Sequence, residues 1–182
     1  MEESEKQSLF SHALRWALIC AGVSIFLTIL MYVIDYTLMV QLKVLFIMLA
    51  IYLGIVIYAG IDYRKSIGGY IPFGKAFQHG FIILALSGLV STLFSILLYT
   101  VIDPDLPQNL IDASMENTRA MMEQFGAPAD SMDEGLEKAR ADIEARFTVV
   151  GLLKGYITIA IASAVMALIT ALVVKKSEPV EM

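Results

Sequence analysis

Few residues of this chain could do chemistry, and each sits in a context that limits it. Gly69 to Lys75 reads G-x-x-x-x-G-K, the opening of a phosphate-binding loop. Such a loop needs a hydroxyl next, for magnesium, and a strand before it. Here Ala76 takes the hydroxyl's place, a long apolar run precedes the glycines, and Pro72 and Phe73 remove or crowd the amides that would cradle phosphate. The segment is therefore expected to be a turn. Lys154 stands alone in the apolar run 148–174, where an ionisable side chain is costly and often functional. Two outcomes are open to it: reaching out to lipid headgroups, or pairing with Asp35 or Asp103 at the same outer level. His12 and His79 have no carboxylate or cysteine at ligand spacing. Met115, Met121, Met122 and Met132 carry thioethers that suit Cu(I), yet Met115 and Met122 fall on an apolar stripe that assigns them to packing. Metalloprotease, hydrolase and dinucleotide motifs are absent from the sequence. The expectation is a protein that is not an enzyme, with no cofactor, no metal and no nucleic-acid partner.

The elements that hold these residues follow from hydropathy. The chain is 58% hydrophobic and only 17% charged, with a mean hydropathy of +0.72, so its main solvent is lipid. Trp16 to Ile34, Val44 to Ile61 and Phe81 to Ile102 are uncharged runs of nineteen, eighteen and twenty-two residues, and 148–174 is a fourth run. Each matches the thickness of a bilayer. The expected fold is an all-α membrane protein of four transmembrane helices, with an extracytoplasmic helical hairpin between helices three and four. Its parts are an N-terminal tail 1–15, helices one to three within 16–102, an acidic hairpin 103–147, helix four over 148–174 and a tail 175–182. Gly68, Gly69, Pro72, Gly74 and Lys75 belong to an interfacial elbow, 62–77, with Tyr70, Ile71 and Phe73 along the headgroup boundary and Tyr63 in a tyrosine belt. Lys6, Arg15, Arg64, Lys65, Lys75, Lys175 and Lys176 gather on one side. The positive-inside rule makes that side, with both termini, cytoplasmic. Gly151 and Gly155, continued by Ser163, Ala167 and Ala171, form a small-residue ladder for packing within the bundle or for a dimer.

The loop 103–147 holds eleven acids and four bases. Ile111, Met115, Thr118, Met122 and Phe125 recur at helical spacing, and Gly126 and Pro128 end that helix. Ser131 with Glu134 reads as a capping box for a second helix, striped by Met132, Leu136, Ala139, Ile143 and Phe147 and running straight into helix four. Leu110, Met121 and the outer edge of the Met122 and Phe125 stripe are left for some other surface. That residue pattern favours an anchor whose hairpin mediates association, with a membrane or periplasmic protein or a second copy as partner besides the bilayer. The alternatives are a small transporter or channel component with a polar path involving Lys154, and, lacking residues to name, an enzyme.

Gly68 to Phe77 (GGYIPFGKAF), the Tyr63-Arg64 pair before it and Asp103-Pro104 after the third run carry a resemblance. The chain resembles the family catalogued as domain of unknown function 4199, small bacterial integral membrane proteins. That resemblance implies a four-span inner-membrane protein over roughly 16–174, and no activity or site residue.

Overall fold

The computed structural model describes residues 8–126 and 129–177, and their side chains except those of 129–132 and 134. Among the described residues six helices follow one another: α1 (Leu9–Ile34), α2 (Leu42–Ser66), α3 (Phe73–Leu97), α4 (Leu106–Gln124), α5 (Ala129–Arg146) and α6 (Val149–Val174). A 3-10 turn, Tyr36–Val40, links α1 to α2, and a π turn, Leu98–Ile102, extends α3. Leu9–Ile34, Leu42–Ser66, Phe73–Ile102 and Val149–Val174 are long and apolar enough to cross a membrane. Large apolar side chains such as Leu18, Phe26, Phe46, Ile161 and Leu172 are exposed on these helices, a surface that lipid accepts and water does not. The chain is a multi-pass membrane protein.

It forms two compact units. The first takes Met1–Ser24, Met48–Ser91 and Ile157–Met182. It therefore gathers the N-terminal parts of α1 and α3 and the C-terminal parts of α2 and α6. Small residues set its packing: a Cβ at Gly60 would lie 2.7 Å from Val174 Cγ2, and one at Gly80 would lie 3.0 Å from Thr170 Oγ1. Ser163, Ala167 and Ala171 are buried on α6, so this part of the expected ladder does bring helices close.

After α2 the chain turns through Gly68 and Gly69, whose φ of 102° and 89° suit glycine alone. The turn of the expected elbow is also packed against the segment that follows α6. Ile71 is fully buried, in a cluster with Tyr63, Ala76, Ala171 and Val174. Its backbone pairs with Lys176 in both directions, at 2.9 and 3.0 Å. Arg64 Nη1 donates to the Val174 carbonyl at 2.8 Å, and the Lys176 ammonium sits 5.3 Å above the Tyr70 ring. The segment after α6 thus covers the turn, and an extended backbone pairing satisfies amides that a headgroup layer would otherwise have to solvate. Pro72 directly precedes α3, Gly74 and Lys75 lie in its first turn, and a Cβ at Gly74 would meet nothing. Lys6, expected on this side, lies outside the described residues.

The second unit takes Ile25–Ile47 and Thr92–Tyr156. Asp103 organises it: Oδ1 accepts the amides of Asp105 and Leu106 at 3.2 and 3.1 Å, capping α4, and Oδ2 accepts the Tyr32 hydroxyl at 3.0 Å. Leu98, Leu106 and Leu110 form its core, with Met39, Phe94, Tyr99 and Phe147 against them. Leu110 is fully buried, so it is not the leftover apolar surface expected of it. α4 and α5 pack together as a helical hairpin. α5 begins at Ala129, ahead of the expected cap at Ser131; Pro128 and the side chains of Ser131, Met132 and Glu134 lie outside what is described. The expected fold is corrected at the end of α5, which does not run into α6. Thr148 breaks the helix by donating its hydroxyl to the Ala145 carbonyl at 2.8 Å while accepting the Gly151 amide at 3.0 Å. That is a helix stop and an N-cap supplied by one side chain.

Candidate functional site

The two buried histidines of the first unit meet at one place. His12 lies near the start of α1, Asp62 near the end of α2 and His79 near the start of α3, all within about two turns of helix ends that this unit gathers. His12 Nδ1 is 2.9 Å from His79 Nε2, and His12 Nε2 is 3.2 Å from Asp62 Oδ2. Both imidazoles are buried, at 3% and 1% exposure, whereas the Asp62 side chain is 51% exposed. The chain of contacts therefore has one open end, at the carboxylate. Tyr63 closes the other side, its ring stacked on His79 with centroids 4.9 Å apart and 6° between planes. Trp16 lies 6.4 Å from the His12 ring.

Hydrogen-bond chemistry fixes the protonation pattern of this chain. A carboxylate can only accept, so His12 Nε2 carries a hydrogen and donates to Asp62. A neutral His12 then has a bare Nδ1, which accepts from His79 Nε2. Adding a proton to His12 reverses the inner bond: Nδ1–H donates and His79 accepts at Nε2. Both rings cannot be imidazolium while this contact lasts, because each would present a hydrogen to the other. The arrangement has room for one added proton, with the Asp62 carboxylate beside it as a counter-charge.

Neither histidine has a carboxylate at ligand spacing in the sequence, yet the fold brings Asp62 to His12. No short-range spacing could have signalled the partner, since the contacts join residues 50 and 67 positions apart. A comparison of depth along antiparallel spans would have put the three residues in one layer.

The other expected sites are placed differently. Lys154 is exposed on α6 and, among the described residues, makes no ion pair with any carboxylate. Asp35 Oδ1 accepts the Thr37 amide at 2.9 Å and the Thr37 hydroxyl at 2.7 Å, capping the 3-10 turn, and the two residues are not brought together as a pair. The ladder through Gly151, Gly155, Ser163 and Ala167 divides. A Cβ at Gly155 would meet nothing, while one at Gly151 would run into the Ala145 carbonyl oxygen and lie 2.8 Å from that of Arg146. Gly151 serves the chain turn between α5 and α6, and Ser163 and Ala167 do the packing. On the hairpin, Arg140 bonds Glu144 at 2.8 Å and lies 3.9 Å from Asp112. No group of three or more histidine, cysteine or acidic side chains suited to a metal occurs among the described residues.

Searches of curated proteins and of solved structures found no match. The profile of the family described as "Protein of unknown function (DUF4199)" matches residues 15–176, a stretch that includes Asp62, His79 and the glycine turn. The chain is a member of that family.

Proposed function

We propose that this is a proton-binding membrane protein, in which His12 and His79 share one exchangeable proton held against the Asp62 carboxylate. The observation that supports it is the 2.9 Å contact between the two buried imidazoles. Imidazole is the side chain whose ordinary titration falls near neutrality, and an ionisable cluster inside spans is costly unless it serves a purpose. The groups facing the pair are Trp16 from α1, and Asp62 and Tyr63 from α2. From α6, the stretch 157–174 carries no charge. A single counter-charge therefore matches a single proton. Asp62, half-exposed, is the point of exchange with the bulk, and the basic residues around this end favour the cytoplasm as that bulk. The transport reading thus moves from Lys154 to the histidines, and it includes no enzymatic step.

The chain has only two histidines, which makes the test clean. Between pH 8 and pH 5, purified protein in detergent is expected to take up about one proton more than the His12→Gln/His79→Gln double variant. A difference near two, the value for independent imidazoles, or near zero contradicts the proposal.

A second reading, association through the hairpin, keeps its own support at the hairpin tip. Phe125 is 81% exposed and Met121 48%, while Asp112, Glu116, Asp133 and Glu137 line the flank together with Arg119 and Arg140; a protein surface, from a partner or a second copy, suits that combination. Phe125→Ser/Met121→Ser is expected to abolish a dimer or a co-purifying partner and leave folding unchanged. Association that persists in the variant contradicts this reading.

A further inference from the structure

The histidine pair is one end of a polar seam inside the first unit. α1 turns inward at His12, Trp16, Cys20 and Ser24, and α3 at His79, Ile83, Ser87 and Ser91, each at four-residue spacing. Two turns beyond the histidines, about 12 Å along the helices, Cys20 of α1 and Ser87 of α3 are both buried. One turn further, Ser91 Oγ donates to Ser24 Oγ at 2.9 Å. Between these polar layers stand Ile83, 0% exposed, and Val56, 1%. They belong to one apolar cluster, with Trp16 packed against it.

The geometry points to a proton path through the first unit, running from Asp62 through the two histidines to the Cys20, Ser24, Ser87 and Ser91 layer and held shut by Ile83 and Val56. This rests on the proton-binding reading above. With both rings in the Nδ1–H tautomer, a proton that reaches Asp62 passes from its carboxyl to His12 Nε2, His12 passes its Nδ1 hydrogen to His79 Nε2, and His79 releases its Nδ1 hydrogen toward the seam. Both rings are then in the Nε2–H tautomer that the ionised carboxylate favours, and each returns to the Nδ1–H tautomer before the next transfer. Onward transfer needs water, because the isoleucine and valine carry no atom that can hold a proton. A hydrophobic constriction of this kind closes a path by excluding that water. Hydroxyl and thiol groups beyond it provide hydrogen-bond partners for the water once admitted.

Proteoliposomes containing the full chain and an internal pH-sensitive dye, with the membrane potential clamped, provide the test. Wild type is expected to pass protons slowly after an acid pulse. Ile83→Ala and Val56→Ser each remove part of the plug, and each is expected to raise the proton flux at least tenfold. Adding His12→Leu to either is expected to return it to the wild-type rate. Unchanged flux in folded plug variants overturns the gate, and raised flux that survives His12→Leu overturns the path through the histidines. In either case the proton-uptake count of the wild type separately reports whether the pair binds its proton. If one plug variant fails to fold, the other decides.

Discussion

Replacing His12 with leucine is expected to destabilise the protein by about 2–3 kcal/mol, and replacing His79 as well is expected to recover part of that loss. The single change removes both polar contacts of the site and leaves His79 Nε2 buried without its ring partner. An unsatisfied buried donor costs its full desolvation, about 1–3 kcal/mol, whereas removing both partners together can be close to neutral. Asp62 loses less, since its half-exposed carboxylate can turn to water. The cycle of His12→Leu, His79→Leu and the double variant is therefore expected to be strongly non-additive, by at least 1 kcal/mol. Reversible unfolding in mixed micelles measures it. Strict additivity would mean that the two rings do not depend on each other.

The other large effect is expected at Gly151. A valine there would drive its Cβ into the Ala145 carbonyl oxygen, with the Arg146 carbonyl behind it. Neither atom is the end of a flexible side chain, so relief requires moving the last turn of α5 or the first of α6. Overpacking against movable side chains typically costs about 1–3 kcal/mol, and against fixed backbone the expected cost is at the top of that range or above it. The change also lengthens or breaks the bond between the Gly151 amide and Thr148 Oγ1. Gly155→Val, four residues on, meets nothing and is expected to shift the unfolding midpoint by less than one degree. Similar destabilisation by both variants contradicts the roles assigned to these glycines.

The contrast between those glycines shows what could be read from the chain. Run length and the absence of charge make all four spans legible, because the thickness of the bilayer imposes a length that chance rarely supplies. The hairpin is legible from the spacing of Ile111, Met115, Met122 and Phe125, since a helix exposed to water must be apolar on one face only. Spans that are apolar all round carry no such phase. Nothing in the local pattern tells which side of α1 faces inward, so His12 and His79 read as isolated residues and their meeting with Asp62 stays hidden. The same lack of phase makes Gly151 and Gly155 look alike, although one lies in the first turn of α6 against the end of α5 and the other faces open space. The stripe running from Ile143 past Phe147 suggested an unbroken helix. Thr148 ends it through two hydrogen bonds that periodicity does not record. The burial of Ile71 stays hidden because its pairing partner, Lys176, lies beyond the last span.

The central claim is that two buried rings share one proton, and histidine-selective nitrogen NMR tests it most directly. The chain contains only these two imidazoles, so a spectrum of protein labelled at the histidine ring nitrogens shows four ring-nitrogen signals. Titrated from pH 8 to pH 5, one ring is expected to pass from the neutral to the imidazolium pattern while the other stays neutral and exchanges its tautomer. A nitrogen–nitrogen coupling across the His12 Nδ1 to His79 Nε2 contact is expected to persist throughout. Two rings that both become imidazolium, with no coupling between them, would contradict the account.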